Sequence, residues 1–307
     1  MLSTSGPLAI QTESLTKEYP IGFGGRRRFR ALNGLSLTVE GGISYGFLGP
    51  NGAGKSTTIK LLMGLIFPTQ GSSSVWGGSI SSSGIKRRVG YSPENPAFPE
   101  HLSGLEVLQF VGGLYGLGGA DLKARAATAL EQLGLARAAN VQTRKYSKGM
   151  VQRLSIAQAI MHGPELVILD EPMSGLDPLG RRDVKDLILN LRREGKTVFF
   201  STHIIADVEE ICDSAAILVG GEMVKAGPVH SLLGVEEREI EITYNQVAAS
   251  GAPVRGTRLT RQAETRKAIE EIWASGGEVL TVQARRYGLE KVFLEAVASR
   301  PPPKSYE

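Results

Sequence analysis

The sequence predicts an α/β fold, in which helices cover a mostly parallel β-sheet. First, ISYGFL has the pattern of a buried strand, and after a glycine-rich turn TTIKLLMGLIF has helical apolar spacing as far as Pro68. Second, LVIL at residues 166–169 is a continuous apolar run, which is typical of an interior parallel strand. Third, DVKDLILNLRREGKTVFF has the pattern of a helix followed by a strand, and such alternation builds parallel sheets.

Composition limits the classes of protein to which the chain can belong. It has 307 residues and a net charge of +4, with acidic and basic residues mixed along its length. A dedicated nucleic-acid binder needs a basic face that replaces phosphate counterions, so we expect no nucleic acid partner. The single cysteine, Cys212, excludes an internal disulfide and fits a reducing compartment. The first residues lack the pattern of a signal peptide, and no segment reaches the ~18 uncharged apolar residues of a membrane-spanning helix.

A glycine-rich loop between the ISYGFL strand and its helix is the strongest local motif. Residues 49–56 follow the spacing G-x-x-x-x-G-K-S, which lets backbone N–H groups point at an anion beside the positive end of the helix. Lys55 is expected to reach the β- and γ-phosphates of a nucleotide, and the Ser56 hydroxyl to coordinate Mg²⁺. The predicted nucleotide-binding residues of this loop are Gly49, Pro50, Asn51, Gly52, Ala53, Gly54, Lys55, Ser56 and Thr57.

An acidic pair follows the apolar run at residues 166–169. Successive residues of a strand point in opposite directions, so Asp170 and Glu171 cannot perform the same task. We therefore predict that Asp170 holds the Mg²⁺ shell and that Glu171 faces the attacking water as a catalytic base. An acidic pair at a strand end can also serve as a cap, but the glycine-rich loop favours the catalytic interpretation.

These motifs, in this order, resemble those of the nucleotide-binding subunits of ATP-binding-cassette (ABC) transporters, from about Leu8 to about Val229. GPNGAGKST is similar to the Walker A loop, LVILDEP to the Walker B strand, and SGLD at residues 174–177 to the D-loop. The resemblance implies that His203, in STH, is the switch histidine and that Tyr19 stacks on adenine. It also implies ATP and Mg²⁺ as ligands, and a P-loop ABC ATPase core with an antiparallel β subdomain.

The segment YSKGM, at residues 146–150, resembles the LSGGQ signature of the same family. It retains Ser147 and Gly149, with Lys148 and Met150 substituted. In that family the signature faces the γ-phosphate held by a second copy of the domain, and a helix N-terminus with a serine hydroxyl suits an anion. The resemblance therefore implies a dimer with two ATP molecules between the copies, in which Ser147 and Gly149 bind nucleotide in the other copy's site.

One residue departs from the family's pattern. The family has a glutamine in its Q-loop, whereas VGYSPENPAF has Glu94. A carboxylate there can bind the metal shell directly or through water, so Glu94 is a candidate catalytic residue and a candidate Mg²⁺ ligand. Similar glutamates occur in the exporter branch called ABC-2, which makes Glu94 a branch marker. A near-isosteric replacement without a special role explains it equally well.

A helical subdomain, at about residues 92–163, is expected between the core strands. Ser103 and Glu106 have the spacing of a capping box, which predicts the start of a helix. Asp121 is the predicted N-cap of a second helix that ends at Gly134, and YSKGM begins a third. Further on, ILVGGEMVKAG is predicted to be a hairpin that turns at its two adjacent glycines.

The resemblance to the ABC family becomes weak after residue 230. We therefore divide the chain into a nucleotide-binding domain at residues 1–230, an accessory α+β region at residues 231–300 and a frayed tail at residues 301–307. REIEITY and EVLTVQA have strand patterns, and TRQAETRKAIEEIWASGG is predicted to be a helix capped by Thr260. GLEKVFLEAVA is predicted to be an amphipathic helix.

Three further features carry no predicted chemistry. The basic run RRRFR, at residues 26–30, follows a glycine-rich stretch and is expected to be a solvated loop, with contact to anionic lipid headgroups as the alternative. The histidines other than His203 show no metal-ligand spacing. Cys212 lies in an apolar helix pattern and is expected to be inert.

We predict an ATP-hydrolysing subunit that powers export through a separate integral membrane permease, on the cytoplasmic face of the cell membrane. An importer subunit is one alternative, against which Glu94, YSKGM and GLEKVF favour export. A soluble ABC ATPase of translation or DNA repair is the other. It is less consistent with the sequence. DNA-repair relatives have a long coiled coil between the Walker A and Walker B motifs, whereas no heptad run separates Lys55 from Asp170. Translation-factor relatives normally have two cassettes, whereas this sequence has one.

Overall fold

The computed structural model describes residues 7–22, 27–232, 239–247, 253–284 and 289–299. They form two compact units, one that ends at Val229 but also includes the chain from Phe293, and one at His230–Val292. The predicted tail at residues 301–307 lies outside the described residues. The elements, in chain order, are β1 (Leu8–Ile21), β2 (Arg27–Leu35), β3 (Thr38–Glu40), β4 (Ser44–Leu48), α1 (Lys55–Leu62), β5 (Gln70–Val75), α2 (Ser83–Arg87), β6 (Val89–Ser92), α3 (Gly104–Leu114), α4 (Gly119–Gln132), α5 (Lys148–Ile160), β7 (Leu166–Leu169), α6 (Pro178–Arg193), β8 (Thr197–Thr202), α7 (Ile205–Ile211), β9 (Ser214–Val219), β10 (Glu222–Pro228), α8 (Val229–Leu232), β11 (Glu239–Val247), β12 (Pro253–Arg261), α9 (Thr265–Ala274), β13 (Glu278–Ala284) and α10 (Leu289–Ser299).

The central sheet of the first unit has the strand order β10-β9-β4-β8-β7-β6 among the described residues. Strands β9, β4, β8, β7 and β6 run parallel, and β10 pairs antiparallel with β9 at one edge. The predicted hairpin joins these two strands, and its glycines Gly220 and Gly221 both have positive φ, 59° and 83°, as a two-residue hairpin turn requires. The predicted α/β class with a mostly parallel sheet is confirmed.

Each face of this sheet packs against its own hydrophobic core, and successive residues of a strand contribute to the two cores in turn. In β7, Val167 and Leu169 pack with the helical side, whereas Leu166 and Ile168 pack with the opposite side. The helical core contains residues of α3, α4, α5 and α6, and the other core contains residues of α1 and of a second sheet. A strand buried on both faces must be apolar throughout, which explains the unbroken LVIL run.

The second sheet is the predicted antiparallel subdomain, in which β1 pairs with β2, β3 and β5. The prediction of a loop for the basic run is wrong for its described part, because β2 begins at Arg27. Arg28 and Arg30 both form ion pairs with Glu18 of β1, at 3.3 and 2.9 Å, so cross-strand pairing orders them. Arg26 lies outside the described residues.

Helices α3, α4 and α5 form the predicted helical subdomain and pack through a shared apolar core. The capping box is present: the Ser103 hydroxyl accepts from the Glu106 N–H, and the Glu106 carboxylate accepts from the Ser103 N–H at 2.7 Å. The prediction that Asp121 caps α4 is wrong, because α4 begins at Gly119 with Gly118 as N-cap. Asp121 lies in the first turn instead, where a carboxylate favours the helix dipole, and it pairs with Arg125.

The helix after the glycine-rich loop is shorter than predicted, since α1 ends at Leu62 and not near Pro68. Gly64 has φ 65°, and the Gly64 N–H donates to the Leu61 carbonyl at 3.1 Å, which terminates the helix in a tight turn. Leu65 and Phe67 then lie on the surface, 59% and 78% exposed. The apolar pattern beyond Leu62 therefore does not belong to a buried helical face.

The second unit contains the antiparallel sheet β12-β11-β13, with α9 packed on it through Ile242, Ala268 and Ile272. Strand β12 was not predicted, because PVRGTRLTR lacks a clear apolar alternation and forms an edge strand along β11. The predicted cap at Thr260 is wrong, since Thr260 lies in β12 and α9 begins only at Thr265. The two strands and two helices predicted for residues 231–300 are otherwise present.

Among the described residues, no helix is both long enough and apolar enough to cross a lipid bilayer.

Cys212 immediately follows α7, and burial raises the pKa of its thiol.

A half-buried histidine, His162, makes the stability of the first unit pH-dependent. The His162 ring stacks on Tyr115 with centroids 3.8 Å apart, and its Nε2 donates to the Val89 carbonyl at 3.3 Å. Burial lowers the pKa of His162 to about 4. Above pH ~6.5 the His162 ring is neutral in both the folded and the unfolded chain. Between pH ~6.5 and about 4 the ring is protonated in the unfolded chain but stays neutral in the folded chain, which favours unfolding.

We therefore expect acidification to weaken folding. Between pH 7.5 and 5 the His162 contribution to the free energy of unfolding should fall by about 2 kcal/mol. Urea unfolding of the wild type and of His162→Phe, which keeps a ring against Tyr115, measures this contribution. The loss on acidification should be smaller in the variant, and equal losses in both proteins would contradict the assignment to His162.

Candidate active site

The glycine-rich loop turns tightly between β4 and α1, and its glycines are required by close backbone contacts. A Cβ on Gly49 would lie 2.4 Å from the Leu218 carbonyl oxygen. Gly54 has φ 105°, and a Cβ there would lie 2.5 Å from the Ala31 carbonyl oxygen. The loop is therefore held between β9 and β2, with its N–H groups at the start of α1 available for an anion.

A cavity of about 280 Å³ opens over this loop. It brings together most of the predicted site: the loop from Asn51, Glu94 and Glu171. Its lining residues are Phe29, Ala31, Asn51, Gly52, Ala53, Gly54, Lys55, Ser56, Thr57, Glu94 and Glu171. Gly49 and Pro50 do not line it but form the floor of the loop, where both carbonyls accept a hydrogen bond from Lys55.

Lys55 is a buried cation, only 6% exposed, at the centre of the site. Its Nζ donates to the Gly49 carbonyl at 2.7 Å and to the Pro50 carbonyl at 3.3 Å. The same Nζ lies 3.2 Å from Glu171 Oε1, in an ion pair that is shielded from water on both sides. A buried charge needs such a partner, and the phosphates of a nucleotide can take the place of this carboxylate.

Asp170 lies beside the first turn of α1, within reach of two hydroxyls. Ser201 Oγ donates to Asp170 Oδ1 at 2.6 Å, and Ser56 Oγ donates to it at 3.3 Å. Burial raises the pKa of Asp170, although these hydrogen bonds act in the opposite direction. A buried carboxylate next to a hydroxyl, with oxygen as the only donor atom, suits Mg²⁺, so Ser56 and Asp170 fit the predicted metal site.

Glu171 lies where the chain leaves β7, and its backbone is in the left-handed region with φ 47°. The prediction that strand alternation separates Asp170 from Glu171 is wrong, because β7 ends at Leu169. The turn itself separates the two carboxylates. The Glu171 N–H donates to Ser201 Oγ at 2.8 Å, which fixes this conformation, and His203 Nδ1 donates to Glu171 Oε2 at 3.0 Å. Glu171 is thus held between Lys55 and His203.

Glu94 follows β6 and is exposed at the rim of the cavity. It borders the same space as Lys55 and Ser56. Its role as a metal ligand stays a prediction.

The signature residues do not line this cavity. Ser147 is the N-cap of α5, and its hydroxyl accepts from the Met150 N–H at 3.2 Å. Gly149 faces the SGLD segment, since a Cβ on it would lie 3.3 Å from Leu176 and 3.7 Å from the Gly175 carbonyl oxygen. The signature and the SGLD segment therefore lie side by side on a surface that their own chain's phosphate loop does not use.

The predicted adenine partner, Tyr19, lies on β1 and does not line the cavity either. The aromatic residue that does is Phe29, its direct cross-strand neighbour on β2. Sequence reasoning missed Phe29 because it lies inside a basic run with no local sign of its strand partner.

Comparisons with known proteins show the family to which this chain belongs. The ABC transporter family model matches residues 32–174. An uncharacterized ABC transporter ATP-binding protein of Nostoc sp. is 39% identical over an alignment of 307 positions that covers 95% of this chain and 90% of that protein. The fluoroquinolones export ATP-binding protein of Mycobacterium tuberculosis is 38% identical over 242 residues, covering 78% of this chain and 77% of that protein.

Two solved structures share the fold. One, an ATP binding subunit of an ABC transporter, has 31% identity and a TM-score of 0.65, covering 73% of this chain and 91% of its own. The other, a dimeric bacterial ABC transporter cassette, has 25% identity and a TM-score of 0.66, covering 71% of this chain and 98% of its own. With its phosphate loop, acidic pair, histidine and signature in the order found above, this chain belongs to the ABC transporter family as an ATP-binding, ATP-hydrolysing subunit.

Proposed function

We propose that this subunit powers export through a separate membrane-spanning permease. The observation that carries the proposal is the buried group formed by Lys55, Glu171 and His203 beside the phosphate loop. This group can both hold a triphosphate and take a proton from water. Export is supported by Glu94 and by the similarity to the fluoroquinolones export ATP-binding protein over 78% of this chain.

The ion pair between Lys55 and Glu171 suggests how binding prepares hydrolysis. The loop N–H groups and Lys55 bind the β- and γ-phosphates, which then compete with Glu171 for the ammonium group. Glu171, released from Lys55, is free to accept the proton of the attacking water. His203 keeps this carboxylate oriented through Oε2. Mg²⁺, held by Ser56 and Asp170 with Glu94 nearby, supplies charge stabilisation at the phosphates when bound.

A second copy of the chain completes each site. Ser147 and Gly149 lie outside their own chain's cavity, at the N-terminus of a helix of 13 residues whose first turn has no acidic side chain. Such a helix end suits the γ-phosphate bound by another copy. The similarity to a dimeric bacterial cassette supports this arrangement. ATP then joins two copies, and its hydrolysis releases them.

Transport requires a permease, and the subunit would act on the inner face of the cell membrane through it. We expect inside-out vesicles from cells that make this chain and the membrane protein encoded beside it to accumulate a fluoroquinolone when ATP is added. Vesicles with Glu171→Gln in place of the wild type are the control and should accumulate none, because hydrolysis drives the cycle.

The orientation of the vesicles determines the direction of transport. Accumulation in inside-out vesicles corresponds to export from the cell. ATP-dependent accumulation only in right-side-out vesicles loaded with ATP would make the subunit part of an importer. Equal accumulation with the wild type and Glu171→Gln would separate transport from ATP hydrolysis and contradict the proposal.

A further inference from the structure

We propose that Asp207 is a positioning residue for ATP hydrolysis, which acts through helix α7 to hold the His203 ring against Glu171. Asp207 is a carboxylate that is only 2% exposed, and it lies in the first turn of α7, four residues after His203. This role rests on the proposed function, in which His203 orients Glu171 as the base. It adds to that function the contact that places His203 itself.

The position of His203 depends on the chain that follows it. The His203 side chain is 46% exposed, so packing restricts its ring on one side only. Its Nδ1 donates to Glu171 Oε2 at 3.0 Å, and this bond requires the ring to lie in one orientation. Strand β8 ends at Thr202 and α7 begins at Ile205, so His203 lies in the short connection between them. The placement of α7 therefore determines where the ring lies.

Helix α7 is too short to hold this position by itself. It has seven residues, its N-cap Ile204 makes no side-chain hydrogen bond, and isolated helices of such length are unstable in water. Its apolar side packs closely on β4, since a Cβ on Gly46 would lie 2.9 Å from the Cys212 sulfur and 3.0 Å from Val208. Apolar contacts have no preferred direction, so they hold α7 on the sheet without selecting one rotation of its first turn.

Two cations of α6 supply a contact that has a direction. Lys185 Nζ lies 2.9 Å from Asp207 Oδ1, and Arg181 donates to Asp207 Oδ2 at 3.5 Å. Each carboxylate oxygen thus has its own partner. Arg181 and Lys185 are neighbours one turn apart on α6, which is itself anchored in the core through the fully buried Val184 and Ile188. The first turn of α7 is therefore fixed relative to α6.

The energetics of this ion pair favour a role in positioning. Burial acts to lower the pKa of Lys185, but its hydrogen bonds to Glu210 and Asp207 outweigh burial and raise it, so the side chain is charged. Desolvation of two buried charges offsets most of their attraction, and apolar side chains in their place often stabilise a protein as well or better. Stability alone therefore does not explain the buried carboxylate of Asp207, whereas the strict geometry of the pair suits a helix that carries a catalytic side chain.

A small cavity connects this ion pair with the catalytic groups. Glu171, His203 and Asp207 all line it, and its volume is about 20 Å³, which is room for about one water molecule. Because so little empty volume separates them, a shift of α7 moves His203 relative to Glu171 and is not absorbed between them. A displacement of about 1 Å at a positioned group can lower turnover by as much as about 100-fold.

Asp207→Asn tests the contact, because it keeps the shape of the side chain and removes its charge. We expect kcat for ATP hydrolysis to fall about tenfold, while KM and the Kd for ATP change less than about twofold because the phosphate loop is untouched. Lys185→Gln removes the other charge of the pair at a less buried residue, so it tests the same contact even if Asp207→Asn folds poorly. It should lower kcat to a similar extent, and the double variant should lose no more than the more affected single variant.

Glu210→Gln is the matched control. It removes an exposed carboxylate that pairs with the same lysine from the same helix, and it leaves the contact between Lys185 and Asp207 in place. We expect it to keep the wild-type kcat. Asp207→Glu retains the charge on a longer side chain and should keep more of kcat than Asp207→Asn does.

NMR of isotope-labelled histidine tests the position of His203 without reference to activity. The ring signal that is missing from His203→Ala identifies His203 among the four histidines, His101, His162, His203 and His230. Asp207→Asn should shift this signal and leave the other three in place, and Glu210→Gln should shift none. A general loss of structure would instead shift all four signals and abolish ATP binding.

Combination with His203→Ala shows whether Asp207 acts through His203. In that background Asp207→Asn should lower the residual turnover less than about twofold. The proposal is overturned if Asp207→Asn keeps the wild-type kcat, if it lowers kcat but leaves the His203 signal in place, or if it has its full effect in the His203→Ala chain. Wild-type turnover by His203→Ala would instead contradict the proposed function, in which His203 orients the base.

Discussion

Glu171→Gln is expected to lower the rate of ATP hydrolysis at least about 100-fold while ATP binding persists. The glutamine amide keeps the shape of the side chain and can still accept a hydrogen bond from His203, which lies 3.0 Å from Glu171 Oε2. It cannot take up the proton of the attacking water. Hydrolysis therefore stops at the chemical step, and ATP remains bound between the two copies.

The ion pair in the site also predicts the effect of Glu171→Gln on affinity. Glu171 Oε1 lies 3.2 Å from Lys55 Nζ, so ATP must compete with a carboxylate for this buried cation. Removing the negative charge leaves Lys55 without that partner, so the phosphates no longer compete with a carboxylate for the ammonium group. We expect the Kd for ATP to be equal to or lower than that of the wild type, with Lys55 still held by the Gly49 and Pro50 carbonyls.

Size-exclusion chromatography with ATP measures the trapped dimer, and a phosphate-release assay measures the turnover. Glu131→Gln, an exposed glutamate on α4, is the matched control and should behave as the wild type in both. Hydrolysis at the wild-type rate by Glu171→Gln would show that Glu171 is not the catalytic base. Loss of ATP binding by Glu171→Gln would instead show that the negative charge of Glu171 is needed to maintain the conformation of the phosphate loop.

Two inactive variants are expected to regain activity when they are mixed. Lys55→Ala removes the cation that binds the β- and γ-phosphates, so ATP binding to that chain should fail. Ser147→Arg leaves the phosphate loop intact, so its monomer should still bind ATP. The bulky side chain should block the γ-phosphate presented by another copy, and turnover and ATP-driven dimerisation should be lost.

In a mixed dimer, one site contains both changes and the other contains neither. The intact site combines the phosphate loop of the Ser147→Arg chain with the signature of the Lys55→Ala chain. If the two sites act independently and the chains pair at random, activity should return to at most about a quarter of the wild-type rate. Phosphate release, measured against the ratio of the two chains, should be greatest at equal amounts.

Ser81→Arg, at an exposed serine of the first unit, is the control for introducing an arginine and should not affect turnover. Ser147→Arg also removes the cap of α5, which costs about 1 kcal/mol of stability, so retained ATP binding by the monomer shows that the chain is folded. If the folded Ser147→Arg monomer failed to bind ATP, the signature would belong to its own chain's site, and the shared-site arrangement would be refuted.

Features of this protein whose chemistry is local could be predicted from the amino-acid sequence alone. The spacing from Gly49 to Ser56 predicts a phosphate loop because the required backbone turn and the Lys-Ser pair lie within eight consecutive residues. The capping box at Ser103 and the turn at Gly220 were predictable for the same reason. The unbroken apolar strand at Leu166–Leu169 predicts an interior position in a parallel sheet, since both of its faces must be buried.

The contacts between residues across the site depend on how distant parts of the chain pack together. The positive φ of Glu171 depends on its contact with Ser201, which is 30 residues away in the chain. The pairing of Lys55 with Glu171 likewise requires β7 and β4 to lie in one sheet, with β8 between them. No local pattern encodes such contacts, because they follow from strand order and not from spacing.

The exchange of Tyr19 for Phe29 at the cavity has the same physical cause. Each residue taken alone is an aromatic side chain on a short stretch of polar sequence, and both are compatible with a surface or a core position. The register between β1 and β2 places the rings side by side, and the contact of Ala31 with Gly54 brings Phe29 to the phosphate loop. The phosphate chemistry could thus be predicted from consecutive residues, whereas the aromatic side chain at the cavity is placed there by strand register and by a contact between β2 and the phosphate loop.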